Sequence, residues 1–537
     1  MARRLALAVA LVAALLPVAG AGGVEAQTPK RGGTVVFGPV REPACLTTYV
    51  YVCRGSGIAT PGHDWVAQTV LRPAYILDSD SKLRPTLVSG VSFTTKRPFT
   101  LTYRIRRDAR WSDGVPITAR DFVFTDKVIR RFNVPEDTGE VHRQVRSVRA
   151  VDAKTVKVVL RTRVADWQQG LFWTLLPQHA LVGEKLADIW GDRIVNPKTG
   201  RPIGSGPFLV ERWERGKQLT LLRNRQYWGP HTAYLDNVVI RFCREVCNAP
   251  PGDEVLERLR QGDVDFSFAR DTTIVSDLRR LRGVKVLPSY SDGWEHFAIV
   301  TKSHPALGNK VVRQALAYGI DRVAIVRRLL GEVDPRYRPS DSAVLLNTSP
   351  HYLPNWSRYG YQPARARRLL QQEGCIRGDD RVYVCDGHRF SLRFATAPGQ
   401  PLRAGVLQLA QAHLREAGIE LVQSFGTSDG ANVRLFAWIN YSDSSSRESI
   451  FGCNGKQNFT GYCQRLVTED LDQADRILNP EQRARVLNRV DRQLARDVPV
   501  IPLFQFPLLF AFRTDIRGIE PAPFSPFWNV EDWWLDD

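Results

Sequence analysis

The sequence predicts an α/β chain, and three observations carry that expectation. Short alternating or β-branched runs recur along it, as within Lys30–Val40 and at Leu101, Tyr103 and Ile105. They alternate with stretches at the 3.6-residue helical period, such as 309–331. A chain of 537 residues also exceeds what one hydrophobic core supports, so two or three lobes are expected. No internal repeat or low-complexity linker separates them, which predicts lobes joined by crossing strands, and such crossings make a hinge.

Taken in order, the elements begin with a leader. Arg3 and Arg4 precede an apolar run from Leu5 to Val18, and small residues follow around Ala26. This is the pattern of a secretory signal peptide cleaved before Gln27, with an apolar run too short to span a bilayer. No cysteine stands near that junction to carry a lipid, so a soluble, exported, periplasmic protein is expected. Lys30–Val40 reads as an edge-entering strand and 97–107 as a half-buried one. Ser112-Asp113-Gly114 makes a turn, and Thr118 with Asp121 has the capping-box spacing of a helix that turns Phe122, Val123 and Ile129 inward. Residues 207–223 alternate on either side of Gly216, as a hairpin does. Asp321 caps a helix that Gly331 ends, and 363–370, 406–417 and 470–495 read as further amphipathic helices. Val498–Phe512 is apolar but broken by Pro499, Pro502 and Pro507, so it reads as buried strand and not as a membrane segment.

Eight cysteines fall as four close pairs: Cys45 with Cys53, Cys243 with Cys247, Cys375 with Cys385, and Cys453 with Cys463. In an exported chain this clustering points to local disulfides, although eight cysteines allow about 105 connectivities. No Cys-x-x-Cys occurs and no histidine sits beside these pairs at a zinc spacing, so no metal is expected there. The net charge of +18 is spread along the chain without a basic block. It bears on solubility and non-specific association and does not by itself point to nucleic acid.

Four ordered segments, Arg106–Phe124, Gly204–Gly229, Leu256–Phe266 and Val311–Gly331, together resemble the extracellular solute-binding proteins of ABC importers, family 5. That is the branch carrying oligopeptides, dipeptides and nickel. Glu42-Pro43, Leu176–His179, the Arg-Asn-x-x-Tyr-Trp turn at Arg223, Asn224, Tyr227 and Trp228, and the stretches 414–421, 458–462 and 498–505 extend the resemblance over most of the chain. It implies a two-lobed periplasmic binding protein of type II, a Venus-flytrap with an extra α/β subdomain inserted in lobe I. By analogy residues 27–65, 200–288 and 505–537 form lobe I, 66–199 the subdomain and 289–504 lobe II, after a signal peptide at 1–26. It further implies a monomer without cofactor that captures a small polar ligand, with a short peptide the leading candidate, and delivers it to a permease in the cytoplasmic membrane. A non-peptide solute such as a sugar, an opine or a metal chelate, or a sensing role on the same scaffold, is the alternative.

The resemblance also places a ligand. The family's acidic cleft residue follows a strand-end tryptophan, and here Trp438 and Tyr441 match while Asn440 takes the place of the aspartate, one residue closer. An amide accepts a hydrogen bond from an ammonium group but brings no charge, and Asp443 is the nearest substitute. Trp294, Glu295 and His296 form a second candidate wall, although alternation equally sends Trp294 and His296 to a core face. Tyr49 and Tyr51 are a third, inside the expected Cys45–Cys53 loop.

Catalysis finds little support. Gly426–Gly430 satisfies Gly-x-Ser-x-Gly, but no histidine follows Ser428 to complete a hydrolase triad. No His-Glu-x-x-His occurs either, so no catalytic residues are expected.

Overall fold

The computed structural model describes residues 28–43, 46, 61–132, 141–185, 190, 193–245, 252–398, 400–424, 430–439, 447–522 and 525–536. Fourteen strands of four or more residues occur among them. In chain order they are β1 (Thr34–Val40), β2 (Val88–Phe93), β3 (Phe99–Ile105), β4 (Val145–Ala150), β5 (Thr155–Leu160), β6 (Phe208–Glu214) and β7 (Gln218–Arg223). These are followed by β8 (Asn237–Phe242), β9 (Phe266–Ala269), β10 (Val284–Ile299), β11 (Ser391–Thr396), β12 (Glu420–Gln423), β13 (Val433–Ile439) and β14 (Val500–Arg513). Ten of them form one ladder in the order β12-β11-β13-β10-β14-β9-β1-β8-β7-β6, and the other four form an antiparallel sheet in the order β2-β3-β5-β4. The fold is the two-lobed α/β architecture that the resemblance implies.

The two longest strands make the hinge. β10 and β14 are antiparallel along their whole length, pairing Val284–Tyr290 with Arg513–Pro507 on the first-lobe side and Trp294–Ala298 with Gln505–Val500 on the second. Between those runs the register shifts at Ser291, Asp292 and Gly293, which stand opposite Phe506. Pro507 has no N–H to give the ladder, so a break here costs little. The bulge is held internally: the Gly293 N–H donates to the Ser291 hydroxyl at 3.0 Å, and the buried Gln505 amide donates to the Ser291 carbonyl at 2.7 Å.

Lys30–Val40 reads as an edge strand, yet β1 lies inside the sheet, parallel to both β8 and β9, with Val35 and Phe37 buried. Its Pro39 is accommodated because the pairing to β8 skips a register between Phe37 and Val40. The hairpin at 207–223 forms as β6 and β7, with Gly216 at φ +71° in the turn. The family-like motif residues hold this region together. Glu42 accepts hydrogen bonds from the Trp213 indole at 2.8 Å and the Gly216 N–H at 3.0 Å, and Arg223 donates to the Leu235 carbonyl at 2.7 Å. Buried Arg72 ties Tyr227 to Glu531 near the carboxyl end of the chain. The Gly-Ser-Gly run at 204–206 is required because a Cβ at Gly206 would run into the Thr69 carbonyl.

The expected capping box forms: the Asp121 carboxylate accepts the Thr118 N–H at 2.7 Å and starts α1 (Ala119–Phe132). The stretch 309–331 divides into α2 (Lys310–Tyr318) and α3 (Arg322–Leu330), with Asp321 accepting the Ala324 N–H at 2.8 Å. α4 (Pro363–Gln372) and α5 (Pro401–Glu416) each begin on a proline that supplies the fixed φ of a first turn. Residues 470–495 are not one helix. They split into α6 (Arg465–Ala474) and α7 (Pro480–Asp497), because Pro480 has no N–H to continue the first helix and Asn479 caps the second.

Two hydrophobic cores result. One gathers β1, β6–β8 and the four-stranded sheet, and the other gathers α2–α7 with β11–β13. The second core also takes in Val255, Leu259, Val275 and Leu278. Disulfides join Cys375 to Cys385 and Cys453 to Cys463, and Cys243 is also disulfide-bonded. Cys45, Cys53 and Cys247 lie outside the described residues.

Candidate functional site

Strand direction selects the place. β13 ends at Ile439 beside the Asp292 bulge, where Gly293 pairs with Ile439, while the parallel β11 ends earlier, at Thr396 opposite Leu435. From the other lobe β9 ends at Ala269, paired to Leu509 just beyond the same bulge. Open α/β sheets bind ligands beyond the carboxyl ends of their strands, where side chains from several elements converge. Both lobes therefore present those ends to one hinge.

Four charged side chains meet there. Arg270 follows the last residue of β9, Asp292 is in the bulge, Glu295 is on β10 and Arg403 is in the first turn of α5. Glu295 is wholly buried and receives Arg403 as a fork, Nε to Oε1 at 2.8 Å and Nη2 to Oε2 at 3.3 Å. Burial still raises the Glu295 pKa, opposed by the Arg403 charge. Burial likewise pushes the Asp292 carboxyl up to about 6, against the attraction of Arg270. Arg270 is shifted down by the same loss of water and by repulsion from Arg403, with Asp292 drawing it the other way. Asp292 and Arg270 keep some surface accessible, so neither is fully packed in a core. Beside this cluster α5 packs on the 3-10 turn Thr272–Ile274.

Of the residues picked from sequence, Glu295 joins this cluster. Trp294 and His296 point to the opposite face of β10, buried and stacked on each other at 4.3 Å. Burial lowers the His296 pKa to about 3, so the imidazole is neutral at ordinary pH. Trp438 pairs across from Trp294, half-buried, edge-on to Phe436 at 5.1 Å and stacked on the exposed Phe459 at 5.4 Å. The result is an aromatic series that starts in the core and reaches the surface at Phe459. Tyr49, Tyr51, Asn440, Tyr441 and Asp443 lie outside the described residues. Arg270, Asp292 and Arg403 escape a sequence reading. Their one signal is a charge placed directly after an apolar strand, as in VDFSFAR, and many surface loops share it.

Two α/β lobes on a shared pair of hinge strands, with charged groups gathered at the crossing, define a protein that closes around a solute. The chain belongs to the bacterial extracellular solute-binding proteins, family 5, whose family model matches residues 82–441. It is 22% identical to the oligopeptide-binding protein AppA of Bacillus subtilis over 95% of this chain and 93% of that one. It is 24% identical to the oligopeptide-binding protein OppA of Mycobacterium tuberculosis over 84% and 77%. Among solved structures it is similar to the periplasmic EDTA-binding protein EppA, with TM-score 0.83 and 21% identity over 96% of this chain and 98% of that one.

Proposed function

We propose that the protein is the exported binding component of an ABC importer, takes a short peptide between its lobes and hands it to a membrane permease. The observation that carries this reading is the charged floor of Arg270, Asp292, Glu295 and Arg403 where both lobes meet the hinge. A polar solute supplies partners for Arg270 and Asp292, whereas Glu295 and Arg403 already find theirs in each other, and closure removes the competing water. The oligopeptide-binding names of AppA and OppA favour a peptide. We assign Trp438 and Phe459 to the wall for an apolar side chain, and Asn440, Tyr441, Asp443, Tyr49 and Tyr51 as further ligand contacts. The chain works as a monomer after cleavage before Gln27, with residues 27–65, 200–288 and 505–537 as lobe I, 66–199 as its subdomain and 289–504 as lobe II. In this reading it has no catalytic step of its own.

Native mass spectrometry of the exported protein, purified without added ligand and then denatured, tests the proposal. A ladder of peptide masses is expected, on a chain that starts at Gln27. A single non-peptide mass would replace the peptide by that solute; the EDTA-binding name of EppA makes a polycarboxylate or its metal chelate the second reading.

A further inference from the structure

We infer that Arg270 is the anchor for an acidic group of the bound solute, so that the cleft reads its ligand by a carboxylate and not by an ammonium group. The inference rests on the solute-carrier function proposed above. Among the described residues the Arg270 guanidinium makes no hydrogen bond and no ion pair within contact distance; it faces Asp292 and Arg403 only through space. A guanidinium brings five N–H donors in a planar fork and keeps its charge at any working pH, and with part of its surface accessible Arg270 is open to an incoming acceptor. A carboxylate accepts two of those donors at once.

The neighbouring groups point the same way. Arg403 lies in the first turn of α5, where the helix dipole adds to its positive charge, and two of its N–H groups are committed to Glu295. Asp271, next to Arg270, is turned to its own backbone, accepting the Thr273 N–H at 3.0 Å and the Thr273 hydroxyl at 2.6 Å. It does not neutralise the arginine. An ammonium group finds less. Both Glu295 oxygens are taken by Arg403, and the position matching the family's acidic residue is the amide Asn440. Asp292 alone is left, and burial with its carboxyl at about 6 makes it the charge most easily lost, whereas Arg270 stays ionised. Asp292 then offsets Arg270 in the empty cleft and accepts a ligand N–H in the filled one.

The test uses the full mature protein, stripped of co-purified solute by unfolding and refolding, and native mass spectrometry with three peptide pools of one composition. The first has both ends free, the second is acetylated at the amino end, and the third is amidated at the carboxyl end. The acetylated pool is expected to bind within about threefold of the free pool, and the amidated pool at least about tenfold more weakly. Arg270→Gln should level the free and amidated pools, and Arg270→Lys should restore part of the difference. Equal binding of amidated and free pools to the wild type, or undiminished discrimination in a folded Arg270→Gln, overturns the inference. If no pool binds, the peptide reading fails, and the acid anchor is tested alone by thermal shift with citrate, succinate and glutarate against their amides. Stabilisation by the acids alone, lost in Arg270→Gln, supports it; stabilisation by neither set, or equally by both, sinks it.

Discussion

At the scale of single residues, burial decides which groups serve the ligand and which serve the fold. Trp294 and His296 fill the second core, while Glu295 between them turns to Arg403 because alternate side chains leave a strand on opposite faces. Removing one partner of that pair leaves a buried charge alone. Arg403→Met should therefore lower stability by about 3 kcal/mol in urea titration, and adding Glu295→Gln should recover part of the loss. His296 gives a pH signature. Its folded pKa, near 3, is below the ordinary value near 6.5, so it contributes stability above pH 6.5 that is lost as pH falls towards 3. His296→Phe should remove about 3 kcal/mol of the difference in unfolding free energy between pH 7 and pH 4. Asp491 acts in the opposite sense, because burial raises its pKa to about 6 and the stability it contributes is lost as pH rises from about 4 through 6. Trp438→Ala should weaken solute binding by at least about tenfold, roughly 1.4 kcal/mol, with the melting temperature little changed. Unchanged affinity in the folded variant would remove Trp438 from the site.

Among the elements, the contact between the four-stranded sheet and lobe II concerns closure. Beyond β5 the Ala165 N–H donates to the Asp475 carbonyl at 2.8 Å, and Arg483 of α7 pairs with Asp166 at 3.7 Å, both side chains largely buried. Leu478 packs into the first-lobe core from the same loop. On the lobe division proposed above, these bonds join the subdomain to lobe II and would favour a closed form. Asp166→Ala should raise the solute dissociation rate about threefold in stopped-flow displacement while leaving the unfolding midpoint almost unchanged. A drop in the midpoint without a kinetic effect would make the contact purely structural. Each disulfide at 375–385 and 453–463 closes a loop over a separation of 10 residues, and its replacement by serines should cost about 2–3 kcal/mol.

For the whole molecule, one sheet crosses from lobe to lobe through β10 and β14, so the hinge is an interruption within a continuous ladder and not a flexible linker. The ladder is interrupted at Ser291–Gly293 opposite Phe506 and again between Glu295 and His296, where Leu503 has no partner. Asp292 stands in that bulge, which couples its electrostatics to the hinge angle. Small-angle scattering should show a smaller radius of gyration with bound solute than after stripping, by about 1 Å, the change expected of a hinge closure. No change would mean that the lobes stay closed when empty.

Local pattern carried much of this architecture. Thr118 with Asp121, Gly216 between alternating runs, and Asp321 before α3 each satisfy backbone groups within a few residues, so the chain specifies them without distant partners. The ordered motifs could be read only through the family resemblance, since Glu42 and Tyr227 bond to residues 171 and 155 positions away. β1 was legible as a strand but not as an inner one, because pairing to β8 and β9 depends on residues some two hundred positions away. The floor of the cleft was the least legible part. Arg270, Asp292, Glu295 and Arg403 come from a strand end, a bulge, a strand face and a helix turn, and nothing in their sequence spacing relates them. The sequence by itself determined the elements, their caps and the family; the tertiary structure alone decided which charges meet at the hinge and lose their water, because burial and Coulomb attraction depend on distance in space and not along the chain.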